Sequence, residues 1–153
     1  MFHGLSTLTL DDKGRMAIPT KYRESLMRLC EGKLVMTVNV SSDHCLLLYP
    51  QSEWVNIAAK INELPAFGKQ VSRLRHLLIG HAEDLEMDGH GRLLVSPPLR
   101  EFAGLDRRIA LVGQGNKFEI WNEQTWNESR SRWLAEVESE GANLPPELAS
   151  LTL

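Results

Sequence analysis

Two arginines stand directly after glycine in turns of nearly the same composition, Asp11-Asp12-Lys13-Gly14-Arg15 and Asp88-Gly89-His90-Gly91-Arg92. A guanidinium is a planar fork of donors that can grip two acceptors on guanine or bridge phosphate oxygens, and a good bidentate pair discriminates among bases by about 1–3 kcal/mol. The aspartate that opens each turn offers its arginine a protein partner. The pattern alone leaves open whether that pairing replaces a contact with nucleic acid or orients the side chain for one.

The turns belong to two copies of one longer unit. Asp11, Gly14, Arg15 and Arg23 match Asp88, Gly91, Arg92 and Arg100, while Leu10, Met16 and Ile18 match Met87, Leu93 and Val95. Asp and Gly supply the turn conformation, Gly by reaching positive φ at no steric cost. The alternation of Leu5, Thr7 and Thr9 with Ser6, Leu8 and Leu10 predicts a strand before the first turn, and Arg15 to Ile18 a strand after it. Pro19 closes that strand, Thr20 is the candidate cap of a helix, and Tyr22, Leu26 and Leu29 form its apolar positions. Ser96, Pro97 and Pro98 repeat the boundary in the second copy, since proline in a first helical turn loses no hydrogen bond.

Beyond the turns the correspondence continues. A strand at Lys33 to Val38 answers one at Arg108 to Val112, and Cys45 to Tyr49 answers Lys117 to Trp121. Each half then opens a long helix, with Tyr49 and Trp54 spaced as Trp121 and Trp126 are. Helices over 51–64 and 69–79 form a hairpin between the copies, and a final helix near 123–140 carries Trp126, Trp133, Leu134 and Val137 at packing positions. Leu148, Leu151 and Leu153 mark the tail as a docking segment. The resulting division is a first element over 5–52, a helical connector over 53–80, a second element over 81–125, and a C-terminal helix and tail over 126–153.

Bulk properties narrow the function classes. A chain of 153 residues, 42% of them hydrophobic, can form a sizeable core, but each half alone would be marginal. The copies should therefore support each other. No apolar run is long enough to span a membrane, and the N-terminus lacks a signal-peptide pattern, so a cytoplasmic protein is expected. A net charge of -3 and a pI near 6.0 argue against coating nucleic acid by bulk electrostatics. Charge is unevenly placed, however: Lys13, Arg15, Lys21, Arg23 and Arg28 face one acid, Glu24, within their stretch, whereas six glutamates meet two arginines between Glu123 and Glu147.

Catalytic signatures do not stand out. Cys30 and Cys45 lack a CxxC spacing and read as packed thiols. Gly113-Gln114-Gly115 lacks a third glycine and runs into a strand, so it reads as a hairpin turn. Glu83, Asp84, Glu86 and Asp88 flank a strand and read as a solvated edge in preference to a cation site. Arg73, Arg75 and His76 on the second connector helix read as solvated charge, with a nucleic-acid surface as the alternative. No enzyme, cofactor or metal is expected.

At the two turns the chain resembles the MraZ family, bacterial regulators built from two SpoVT-AbrB-type DNA-binding elements. The similarity extends to the MFHG start, LLLYP at Leu46 to Pro50, LLIGHAED at Leu77 to Asp84, and VGQGNKFEIW at Val112 to Trp121. The resemblance implies an α+β fold in which tandem swapped-hairpin, double-psi-like β elements form a pseudo-twofold barrel flanked by helices. It further implies a ring homo-oligomer, associated with the nucleoid, that binds tandem short repeats in double-stranded DNA and represses the division and cell-wall gene cluster containing its own gene. DNA contact would fall on Arg15 and Arg92, with Lys13, Lys21 and Arg23 at phosphates. His90 replaces the first copy's Lys13, which weakens the phosphate contact expected of the second half. A ring-forming scaffold and an RNA-binding protein are the rival readings. The scaffold leaves the repeated arginine unexplained, and RNA binding calls for stacking aromatics on an exposed sheet.

Overall fold

The computed structural model describes residues 1–141 and 143–151. It divides into two compact units, Met1–Glu123 and Gln124–Leu153. In the first, a strand, turn, strand, helix and two further strands occur twice: β1 (Leu5–Thr9), β2 (Arg15–Ala17), α1 (Thr20–Cys30), β3 (Lys33–Val38) and β4 (Leu46–Pro50), then β5 (Glu83–Glu86), β6 (Arg92–Leu94), α4 (Pro97–Phe102), β7 (Arg108–Gly113) and β8 (Phe118–Asn122). Between them lie α2 (Gln51–Glu63) and α3 (Lys69–Leu74), the latter continuing as a π-helical turn over Arg75–Ile79.

Six strands form one antiparallel sheet in the order β1-β7-β8-β4-β3-β5, and the remaining two, β2 and β6, pair with each other. That order is unchanged when the copies are exchanged. β1 of the first copy lies on β7 of the second, with Thr9 opposite Arg108; β5 of the second lies on β3 of the first, with Glu86 opposite Lys33. Neither strand that leads into a turn pairs with the strand that leaves it.

The pseudo-twofold arrangement is present, but the expected closed barrel is not: β1 and β5 are the two edges of an open sheet. β2 and β6 are three residues each, and β6 runs almost at once into a proline at the start of α4, as β2 does at Pro19 before α1. Proline has no N–H to extend a ladder, so the ribbon stops before it can join the edges. Helix α1 also differs in detail from expectation. Pro19 is its cap, no side chain caps it, and Thr20 is already helical; Tyr22 and Leu26 are buried but Leu29 is exposed.

Both faces of the central strands are covered, which is why β3 and β4 read as nearly continuous apolar runs. One face joins Leu34, Met36, Leu48, Ile109, Phe118 and Ile120 to Met16, Ile18, Leu93 and Val95 from the ribbon and its exits, with Leu26 and Leu99 from α1 and α4. The other packs Leu47 and Tyr49 against Ile61 and Trp54 of α2 and Leu78 after α3. Thr37 Oγ1 donates to the Leu78 carbonyl at 2.6 Å, pinning the connector to the sheet. The Gly113–Gly115 segment joins β7 and β8 as a hairpin.

The second unit contains most of α5 (Glu123–Glu140) and α6 (Pro146–Ala149). Trp126 and Trp133 meet edge to face at 5.9 Å. Leu134 and Val137, expected to pack, are 62% and 64% exposed in the single chain, and Leu148 and Leu151 are exposed as well. Leu153 lies outside the described residues. Leu48 is fully buried at the centre of the sheet. Leu48→Ala should therefore lower the unfolding free energy by about 2–5 kcal/mol in urea titration, with the denaturant slope unchanged.

Candidate nucleic-acid interface

Each turn is organised by its own aspartate. Asp11 Oδ1 accepts the backbone N–H of Lys13 and of Arg15, both at 2.9 Å, while Oδ2 accepts Arg15 Nε at 2.7 Å. Asp88 repeats the set with His90 N, Arg92 N and Arg92 Nε at 2.9, 2.9 and 2.8 Å. Gly14 and Gly91 sit at φ 81° and 72°, a conformation that other L-residues rarely adopt, and close each turn by donating to the aspartate carbonyl at 3.0 Å.

These donors stabilise the charged carboxylates. Asp11 is held below the ordinary value of 3.8, foremost by the Arg15 backbone N–H, and Asp88 is lowered to about 2, foremost by the Arg92 backbone N–H. Because each aspartate engages the inner Nε of its arginine, the two terminal guanidinium nitrogens take no protein hydrogen bond among the described residues. They form the fork that grips paired acceptors. The aspartate thus pairs with the arginine and leaves its tip free.

The ribbon then places the two arginines together. Arg15 lies opposite Leu94, Met16 opposite Leu93, and Ala17 opposite Arg92. Met16 and Leu93 point into the core, so period-two alternation puts Arg15, Ala17, Arg92 and Leu94 on the outer face. The arginine side chains are 30% and 34% exposed, and Leu94 is 51% exposed. A two-stranded ribbon is one of the shapes that the DNA major groove admits.

The other basic residues fall at different distances from this face. Lys13 is exposed on the first turn, and His90 is exposed at the matching place on the second. Lys21 stands apart: its Nζ lies 5.0 Å from the centre of the Tyr22 ring, beside Gly4. Arg23 reaches from α1 to the second copy's turn, with Nε donating to the Ile18 carbonyl at 2.7 Å. On the connector, Arg75 Nη2 donates to the Asn62 carbonyl at 3.2 Å and His76 Nδ1 lies 2.7 Å from the Ser72 carbonyl, so both serve local structure.

Sequence reasoning overlooked Arg100 and Leu94. Arg100 occupies on Gly14 the place that Arg23 occupies on Gly91, and its alignment with Arg23 was the available signal. Leu94 was signalled by alternation: an apolar residue on the polar phase of a strand. Of the acids near β5, Glu83 accepts a hydrogen bond from Ser96 Oγ and Asp88 is committed to its turn. Among the described residues, no group of three or more His, Cys, Asp or Glu side chains is placed to hold a metal.

Fold and face together define a class: a duplicated α+β protein whose halves exchange strand partners and set aspartate-anchored arginines diagonally across the outer face of one ribbon. Residues 1–75 and 78–142 match a family model described as "MraZ protein, putative antitoxin-like". Proteins named transcriptional regulator MraZ are similar over the full length: one from Methylococcus capsulatus is 53% identical over 99% of both chains, one from Thioalkalivibrio sulfidiphilus 53% identical over 100% of both, and one from Coxiella burnetii 46% identical over 100% of both. The chain belongs to the MraZ family.

The lowered carboxyl values carry a pH signature. A group whose folded pKa lies below its unfolded one contributes stability that is present above the unfolded value and lost as pH falls through the folded one. The Asp88 turn should therefore lose stability between pH 3.8 and about 2, and the Asp11 turn as pH falls below 3.8. Unfolding free energy measured across that window should fall more steeply for the native chain than for an Asp11→Asn, Asp88→Asn double variant.

Proposed function

We propose that this chain is a transcription regulator that binds double-stranded DNA sequence-specifically through the outer face of the β2–β6 ribbon. The observation that carries the reading is the pair of aspartate-anchored guanidiniums, Arg15 and Arg92, partly exposed diagonally across one ribbon face with their terminal nitrogens free. Laid in a major groove, those forks meet guanine O6 and N7, while Leu94 and Ala17 offer apolar contact to thymine methyls. Lys13 on the turn and Lys21 beyond it supply phosphate contacts, while Arg23, expected at phosphate, braces the second turn through its bond to the Ile18 carbonyl. The full-length similarity to proteins named transcriptional regulators supports the regulatory role.

In this reading the exchanged strand pairs are the swapped hairpins of tandem SpoVT-AbrB-type elements. The protein works in the cytoplasm at the nucleoid, as a ring of identical subunits on tandem short repeats upstream of the division and cell-wall gene cluster that includes its own gene, and it represses that cluster. Assembly accounts for tight binding by an acidic chain. With a net charge of -3, one subunit gains little from bulk attraction to phosphate, whereas several ribbons held on a ring face tandem repeats at high effective concentration, a gain of roughly 10² to 10⁴ over one site.

The deciding measurement is a salt-titrated binding assay on the duplex upstream of the protein's own gene, against a shuffled duplex. Wild type should prefer the upstream duplex and weaken as salt rises. Arg15→Ala should lower the preference about ten- to hundred-fold, the worth of one bidentate pair, while leaving fold, oligomer and a measurable remainder of the preference, and normal operator binding by that variant overturns the assignment. Lys13→Ala should weaken both duplexes alike and lower the salt slope by about 1. Equal, weak binding of both duplexes by wild type would turn the ribbon into a scaffold element.

A further inference from the structure

Each copy ends its repeated stretch with a second arginine, and each of these arginines crosses to the other copy's turn. Arg100, on α4 of the second copy, lies over Gly14 of the first so closely that a Cβ built there would fall 2.9 Å from its Cζ, 3.0 Å from Nε and 3.1 Å from Nη1. Arg23, on α1 of the first copy, lies over Gly91 of the second: a Cβ there would fall 2.7 Å from its Cδ and 2.8 Å from Cζ, and would overlap Nε. The glycines are thus required twice over, for their positive φ and for the flat cation that rests on them.

Backbone hydrogen bonds tie the same places together. Val95 N donates to the Gly14 carbonyl at 2.9 Å and Ile18 N to the Gly91 carbonyl at 2.8 Å, so each turn is clamped from the copy that also supplies its arginine. Arg23 is fixed by its bond to the Ile18 carbonyl. Arg100 Nε is buried with no hydrogen-bond partner among the described residues, so its hold on Gly14 is one of packing. It borders a cavity of about 280 Å³ that Asp11, Asp12 and Asp106 also line.

We propose that Arg100 and Arg23 are positioning residues for DNA recognition, each acting on the reading arginine of the opposite copy: Arg100 through Gly14 on Arg15, and Arg23 through Gly91 on Arg92. The inference rests on the DNA-binding role of the ribbon. Gly14 and Arg15 share a peptide bond, and Asp11 holds both Arg15 N and Arg15 Nε, so a shift of the glycine moves the guanidinium with it. Recognition tolerates displacements of only about 0.5 Å. The crossing makes each reading arginine depend on the copy that does not carry it.

Double-mutant cycles on the full-length protein test the crossing directly, with the upstream and shuffled duplexes as probes. Arg100→Lys, which keeps the charge but not the flat fork, should lower the preference for the upstream duplex about ten-fold, with non-specific affinity and its salt slope unchanged. That loss should vanish in an Arg15→Ala background and persist in an Arg92→Ala background; Arg23→Lys should show the reverse. A general structural role would give equal losses in both backgrounds, and either that result or a preference equal to wild type would overturn the inference. Full function in Arg100→Lys, with a salt slope lowered by about 1 in Arg100→Ala, would make Arg100 a direct phosphate contact and overturn it as well.

A readout without DNA separates the inference from the function it rests on. The Arg15 Nε–H resonance should move in Arg100→Lys while that of Arg92 stays in place. If wild type shows no preference between duplexes, the proposed function falls and the positioning role falls with it. If wild type discriminates and the cycles are additive, only the positioning role falls. Failure of both Arg100→Lys and Arg100→Ala to fold would show that the residue serves the fold as a whole, and would also overturn it.

Discussion

The two crossed hydrogen bonds at the turn glycines, Val95 N to the Gly14 carbonyl and Ile18 N to the Gly91 carbonyl, bind each copy's turn to the strand that leaves the other copy's turn. A strand that enters a turn is normally free to pair with the strand that leaves it. Here β1 and β2 diverge, because β2 is held by β6 and β1 by β7. Everything downstream follows from that divergence. It sends the two leading strands to opposite edges of the sheet, and it leaves β2 and β6 as a separate ribbon whose inner side chains, Met16 and Leu93, enter the core.

The same constraint explains why the two copies persist in one chain. A half of this length buries too little apolar surface to stand alone, and its leading strand would lack a partner. Exchange of strands gives each half the surface that the other exposes. Phe118 of the second copy packs against Phe2 and Tyr22 of the first with ring centres 4.4 and 4.9 Å apart, so the aromatic centre of the first half is completed by the second. Burial on both faces of β3 and β4 makes the sheet rigid. The ribbon inherits that rigidity through its buried residues and through Ile18 and Val95, which leave it directly into the core.

Much of this was legible in the residues, and what was not has physical reasons. Turn composition located both Asp–Gly–Arg loops and period-two alternation located β1 and the short strands after the turns, because those signals are local, while the correspondence between the copies located β3, β4, β7 and β8. The choice of strand partner is not local: alternation fixes which face of β1 is buried but says nothing of whether β2 or β7 lies beside it. The closed barrel came from the resemblance, and local signals had no means of replacing it with the open sheet. Apolar spacing also misled at Leu29, Leu134 and Val137, which continue helical stripes beyond what the single chain covers. Arg100 escaped notice because its contact lies in the other copy, where only the alignment with Arg23 could have pointed.

A backbone with twofold pseudosymmetry does not make a symmetric face. Where the first copy has Ala17 the second has Leu94, and where the first has Lys13 the second has His90. The substitutions fall on the surface, while the buried positions, Met16 with Leu93 and Ile18 with Val95, keep their apolar character. Packing therefore maintains the symmetry and solvent exposure has let it lapse. The register carries the difference to the arginines: Arg15 lies opposite a leucine and Arg92 opposite an alanine. A partner approaching the ribbon from one end meets a bulky apolar side chain and a lysine-bearing turn in a different order from one approaching at the other end. The face has a direction, and under the proposed function a direction suits short repeats laid head to tail better than a palindrome.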